Sequence, residues 1–327
     1  MSKDAIEYHA QAAGASSNMS GQGFPELHVE PPFVIPADTA AALSETACAF
    51  AADLICMALE EDGPDLTSLG IFPPQDEARA YIVAKQRTLV VGLPLISLVL
   101  SVIGMDPASW SAEVKEGSLV ESGTVVARLH GHTIQLLKAE RVILNLMTHL
   151  SGVADLTRAY VEKLEGTGVR LLDTRKTLPG HRYLEKYAVR VAGGCNHRMN
   201  LADMLMIKDN HIDAAGSITK AVEALRNRYH PCPPVEVECR DEAEVREAVA
   251  CRPERILLDN MTPAMLAGIL PLIPREIEAE IGGVTLDTIR ELALSCRTRP
   301  ADFISVGRIT HSAPSADFSM KMERGNR

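Results

Sequence analysis

The chain has 327 residues, a net charge of -10 and 46% hydrophobic residues, enough for one large domain or two ordinary ones with a full core. The acidic balance argues against the broad basic face that duplex nucleic acid needs, and 4% aromatics disfavour base-stacking platforms. Seven cysteines, odd in number and with no CxxC pair, read as reduced thiols of a cytosolic protein rather than a disulfide frame or zinc site.

Residues 1–36 are rich in Ala, Ser, Gly and Pro without a period, which predicts a mobile tail, and they lack a charged-then-apolar signal pattern. From residue 37 to 61, Leu43, Ala47, Phe50, Leu54, Met57 and Ala58 recur at helical spacing; the helix should stop at Glu61-Asp62-Gly63-Pro64. Short strands are expected at 80–84, 88–91, 119–120 and 125–129. Residues 88–105 are uncharged and barely long enough to span a bilayer, but Gly92 and Pro94 split them into a strand and a helix at 95–103, so no membrane is expected. Residues 115–131 resemble a carrier domain's hairpin, yet the only lysine there, Lys115, precedes the turn, so a plain antiparallel hairpin is predicted. A helix at 139–149 leads into the second half.

That half has another rhythm. Short apolar runs at 169–172, 204–207, 235–237, 256–258, 277–281 and 303–306 end at Asp173, Lys208, Glu238, Asp259, Gly282-Gly283 and Gly307. The spacing suits successive βα units and predicts a parallel β/α barrel, whose active sites form at the C-terminal strand ends. A doubly wound sheet is the competitor, but the chain has no GxGxxG turn and no P-loop.

Charge is distributed unevenly. Residues 140–208 hold 11 Lys+Arg and 7 Asp+Glu, a balance of +4, while the remainder holds 22 and 36, a balance of -14. Arg175, Lys176, His197, Arg198 and Lys208 fall at predicted turns or strand ends, which points to a pocket for a small, highly negative ligand. Lys208 has two readings, an anion-binding charge or a Schiff-base amine; its cationic neighbours favour the first. Glu238 and Asp259, at consecutive strand ends, suit Mg²⁺ shared with substrate phosphates, or else salt bridges to Lys208 or Arg175. Gly282, Gly283 and the Ser305-Val306-Gly307 turn could cradle a phosphate with backbone N–H groups. Cys195, with no evident base, reads as packing rather than a nucleophile.

The segments ERVILN, LSGVA, DTRKT, NHRMNL and IKDNHI, followed by VEVE, LDNM and ISVGRITHSA, resemble the quinolinate phosphoribosyltransferase family in order and spacing. The likeness covers about residues 38–322 and takes in LEEDGPDLTS and VVGLP. It implies an α/β fold of two domains: an N-terminal α/β sandwich at 37–143, joined by residues 312–327, and an incomplete seven-stranded β/α barrel at 144–311. It implies phosphoribosyl transfer from phosphoribosyl pyrophosphate to quinolinate with loss of CO₂, in NAD synthesis. It also implies a homodimer, or an assembly of dimers, with Arg141 entering the neighbour's site.

In that likeness Arg141, Arg175, His197, Arg198 and Lys208 neutralise the substrate carboxylates, Thr174 adds a hydroxyl and Lys176 lies between the substrates. Glu238 and Asp259 hold Mg²⁺ and the ribose hydroxyls, and Gly282, Gly283, Ser305, Val306 and Gly307 hold the 5′-phosphate. Lys176, Lys208, Glu238 and Asp259 form the catalytic set. Two departures stand out: Ile281 where the family has Ser, which removes a phosphate contact or shifts the loop register, and Pro64 where it has Gly. The rivals are a molybdenum-operon-associated paralogue of uncertain substrate, a Schiff-base barrel lyase using Lys208, and a non-catalytic phosphate-binding protein.

Overall fold

The structure, a computed structural model, describes residues 34–323. Nearly all of the expected tail at 1–36 lies outside the described residues. Contacts divide the chain into two units: one runs to Ser151 and takes in the segment from Ala316, and the other is Gly152–Ser315.

The first unit opens with α1 (Ala37–Ala42) and α2 (Glu45–Asp62) in place of the single helix expected. Leu43 is extended, and the Ser44 hydroxyl accepts from Ala47 N at 3.3 Å. A serine cap satisfies one orphan N–H of the new helix, so a break there costs little. Ile55 and Leu59 of α2 are buried, whereas Phe50 and Met57 are exposed. Asp65 caps α3 (Leu66–Ile71) by accepting from Ser68 N at 3.0 Å, so Pro64 precedes an ordinary helix start.

After β1 (Glu77–Ala84), the uncharged segment forms β2 (Thr88–Leu89) and the buried α4 (Leu93–Val102). They join at Gly92, whose φ of 109° is open to glycine and strained for other residues. Among the described residues no helix is long and apolar enough to cross a membrane. Next come β3 (Trp110–Ala112), β4 (Leu119–Val120) and β5 (Val125–His132). The hairpin expected at 115–131 does not form. Instead β4 pairs with β2, and β5 pairs with β1 and β3. Gly123 N donates to Ala84 O at 2.7 Å, so the turn docks on the end of β1 and delivers the following strand to β1. The helix expected at 139–149 is the middle of α5 (Thr133–Leu164).

The second unit alternates strand and helix: β6 (Arg170–Leu172), α6 (Arg182–Val191), β7 (Leu205–Ile207), α7 (Asp209–Ala215) and α8 (Ile218–Arg228). Then follow β8 (Val235–Cys239), α9 (Glu242–Cys251), β9 (Arg255–Leu258), α10 (Pro263–Ile269), β10 (Glu278–Ile281), α11 (Ile289–Ala293), β11 (Phe303–Ser305) and α12 (Arg308–His311). The six strands form one parallel sheet in the order β6-β11-β10-β9-β8-β7. The last of the six in chain order, β11, pairs with the first, β6, and the Cys195 bridge adds to the open side of β6, the neighbourhoods of a sequential sheet that curls round on itself. This is a β/α barrel and not a doubly wound sheet.

Six strands form where seven were expected. Cys195 makes a single parallel bridge to Leu172, on the side of β6 away from β11. The strand goes no further because the His197 backbone N–H and C=O bond to the side chains of Asp173 and Lys186 instead of to a ladder. Beyond the barrel, β12 (Phe318–Glu323) pairs antiparallel with β1, giving the first unit's sheet the order β12-β1-β5-β3.

Candidate active site

A cavity of about 580 Å³ opens at the C-terminal ends of the barrel strands, and its lining comes entirely from the second unit. One wall is cationic. Thr174, Arg175 and Lys176 leave β6, Arg198 follows the Cys195 bridge, and Lys208 ends β7; all five line the cavity. Thr174 Oγ1 accepts from Lys176 N at 3.0 Å, and the Thr310 hydroxyl donates to Lys176 O at 2.7 Å, which fixes the Lys176 peptide. Arg198 Nη1 donates to Met204 O at 2.8 Å, so its guanidinium is aimed before a ligand binds. Burial lowers the Arg198 pKa, and the nearby positive charge of Arg175 lowers it further. Arg175 Nε is buried without a hydrogen-bond partner.

Glu238 and Asp259 face the same cavity from the ends of β8 and β9. Glu238 Oε2 pairs with Lys208 Nζ at 2.5 Å, so the salt-bridge reading of the sequence holds for Glu238. Asp259 Oδ2 accepts from Asn260 Nδ2 at 2.7 Å. A Cβ at Gly282 would stand 3.1 Å from Asp259 Oδ1, so glycine there leaves that oxygen uncovered. Two half-buried carboxylates on one cavity at adjoining strand ends, Glu238 with one oxygen on Lys208, suit Mg²⁺, which takes one or two protein oxygens and keeps several waters.

The third wall is backbone. Gly282 and Gly283 after β10, and Ser305, Val306 and Gly307 around the end of β11, line the cavity. Gly283 sits at φ 75°, and a Cβ there would lie 2.0 Å from Asn260 Oδ1. Ile281 is fully buried and does not line the cavity, so replacing serine with isoleucine leaves the wall unchanged.

His197 differs from the positive charge expected of it. It is buried at the cavity floor, and burial holds its pKa below the ordinary value, so it is neutral at pH 7. Its Nδ1 accepts from Arg198 N at 2.7 Å, which leaves the ring proton on Nε2. Nε2 lies 3.0 Å from Glu236 and 3.5 Å from Glu280, off the axis of a formed hydrogen bond. Burial pushes each of these carboxyls up to about 7. Ligand-type atoms of the three residues lie within 4.8 Å of one another, but the cation there is Arg255, whose Nη1 is 3.0 Å from Glu280.

Several residues of this site were not singled out from the sequence. Glu236 was recoverable, because it lies two residues before Glu238 and strand alternation puts both on one face. Glu280 was recoverable in the same way from Gly282. Arg308 and His311 also line the cavity, on the turn of helix after Gly307. Asp173, noted as a strand end, is fully buried and paired with Lys186 instead of facing the cavity. Cys195 does not line it either. Arg141 is exposed on α5, in the first unit.

A barrel rim with cations, carboxylates and phosphate-sized backbone turns defines an enzyme built for two polyanionic substrates. The chain matches the family models for the C-terminal domain (residues 153–321) and the N-terminal domain (residues 65–151) of quinolinate phosphoribosyl transferase. It is 40% identical over 270 residues to a probable carboxylating nicotinate-nucleotide pyrophosphorylase of Bacillus subtilis, covering 82% of this chain and 91% of that one. It is 37% identical to the chloroplastic carboxylating nicotinate-nucleotide pyrophosphorylase of Arabidopsis thaliana, covering 83% and 82%. The crystal structure of NadC from Streptococcus pyogenes superposes with a TM-score of 0.76 at 38% identity, covering 82% and 94%. The chain belongs to the quinolinate phosphoribosyltransferase family.

Proposed function

We propose that this enzyme joins quinolinate to phosphoribosyl pyrophosphate, giving nicotinate mononucleotide, diphosphate and CO₂ in de novo NAD biosynthesis. The observation that carries the reading is a single cavity with Arg175, Arg198 and Lys208 on one wall and Glu238, Asp259 and the glycine turns on the others. A dicarboxylate suits the first wall; a phosphorylated ribose with a metal-bound diphosphate suits the rest.

In this reaction the ring nitrogen attacks C1′ of the ribose as the bond from C1′ to diphosphate breaks. Arg175 and Arg198 hold the two carboxylates so that the ring nitrogen faces C1′, and Lys176 sits between the substrates. Glu238 and Asp259 would hold Mg²⁺ and the ribose hydroxyls, and the ion would supply charge neutralisation for the departing diphosphate. Their own negative charge also steadies an oxocarbenium-like C1′. Gly282, Gly283 and the turn from Ser305 to Gly307 present backbone to the 5′-phosphate. The positive charge of the quaternary nitrogen then stabilises the electron pair left on the adjacent ring carbon as its carboxylate departs as CO₂, and that carbon takes up a proton. Neutral His197 packs the floor without adding charge. The chain's contribution is alignment and charge placement, with no covalent nucleophile.

The Schiff-base alternative needs a desolvated lysine with few cationic neighbours, whereas Lys208 is half-exposed, pairs with Glu238 and shares its cavity with Arg175 and Arg198. The reaction belongs in the cytoplasm, a reading that the free thiols of all seven cysteines support. The proposal is tested by product formation, with quinolinate as substrate and nicotinate as control.

A further inference from the structure

Lys186 and Asp173 form an ion pair directly behind the cationic wall, and both side chains are fully buried. Neither lines the cavity. Removing two charges from water is expensive, and a buried pair is often no more stabilising than apolar residues of the same size. Packing alone therefore gives little reason for charges here, and their hydrogen bonds supply another.

Those bonds converge on one short segment. Asp173 Oδ1 accepts from His197 N at 2.8 Å, and Asp173 Oδ2 accepts from Asn196 Nδ2 at 2.5 Å. Lys186 Nζ donates to His197 O at 2.9 Å as well as to Asp173. The Asn196 side chain also donates to Lys186 O at 2.9 Å. Both peptide groups of His197 are thus held by one ion pair that joins the end of β6 to α6. The sheet does not hold this segment, because the ladder ends at the Cys195 bridge. Arg198 is the next residue, and its backbone N–H is used to fix the His197 ring.

We propose that Lys186, through its pairing with Asp173, is a positioning residue for the quinolinate wall: it fixes the backbone of His197 so that Arg198, the next residue, meets the substrate carboxylates in register. The inference rests on reading the cavity as the quinolinate site. Among the described residues, Glu238, Asp259 and the glycine turns have no direct hydrogen bond to the pair, so the phosphoribosyl pyrophosphate side should feel its loss less.

The test is Lys186→Met, which keeps the length of the side chain and removes its donors. Direct titration should show quinolinate binding weakened on the order of tenfold or more, because small displacements of aligning groups are costly. Phosphoribosyl pyrophosphate binding should stay within about twofold. Amide hydrogen exchange across residues 195–198 should quicken by at least about tenfold, since those amides lose their anchor. If the lone Asp173 charge prevents folding, the pair Asp173→Asn with Lys186→Met removes both charges, keeps an acceptor for His197 N and should show the same selective loss. Quinolinate affinity within about twofold of the parent, or equal loss for both substrates in a folded variant, overturns the proposal. A parent protein that does not bind quinolinate refutes the functional reading instead. The exchange measurement then still decides the clamp, and unchanged protection at 195–198 overturns it.

Discussion

Arg175 leaves β6 and Arg198 follows the Cys195 bridge, yet the two lie close enough that the positive charge of Arg175 lowers the Arg198 pKa, after the larger effect of burial. Two guanidinium groups that repel one another in a half-buried wall gain from a ligand carrying two carboxylates, and a monocarboxylate relieves less of that repulsion. Arg175→Ala should therefore weaken quinolinate binding by about a hundredfold or more, the scale of a lost charge-assisted bidentate contact of roughly 3 kcal/mol. It should leave phosphoribosyl pyrophosphate binding measurable. Calorimetric titration of each substrate checks this, and equal loss of both contradicts the role given to Arg175.

At the scale of elements, the barrel strands were legible because a parallel strand buried on both faces reads as a short apolar run ending in a polar or small residue. The runs read at 235–237 and 256–258 lie inside β8 and β9, and their ends carry Glu238 and Asp259. The hairpin at 115–131 was misread because turn residues mark where a chain reverses, not which strand the next segment joins. Lys186 was illegible for a different reason: in RYLEKYAVRV a fully buried lysine looks like a surface one until the end of β6 is packed against α6. The glycine turns were visible as a candidate phosphate cradle, but what packs against them was not. Gly307 has an ordinary φ of -72°, so alanine fits its backbone. An added Cβ would lie 2.9 Å from Lys176 Cδ and 3.1 Å from Thr174 Oγ1. Gly307→Ala should leave the unfolding midpoint within about 2 °C of the parent, while weakening phosphoribosyl pyrophosphate binding about tenfold. A thermal melt beside a binding titration reads both, and unchanged affinity would remove Gly307 from the phosphate wall.

For the whole molecule, the cavity is lined by the second unit alone, whereas Arg141 stands exposed on α5 in the first. The homodimer that the family resemblance implies would give this arginine a place in the site of the partner subunit. Arg141→Ala and Lys208→Ala should each be inactive when pure. Mixed under conditions that exchange subunits, they form hybrids in which one site carries neither substitution, and up to about a quarter of parental activity should return under random pairing. Verified exchange without recovered activity would place Arg141 outside the partner's site.

The most direct measurement supplies the purified protein with Mg²⁺, phosphoribosyl pyrophosphate and quinolinate labelled in the carboxylate next to the ring nitrogen. The cavity described here predicts one labelled CO₂ for every nicotinate mononucleotide formed, and no mononucleotide when nicotinate replaces quinolinate. Turnover of nicotinate at a comparable rate, or a folded protein that makes no mononucleotide from quinolinate, would contradict it.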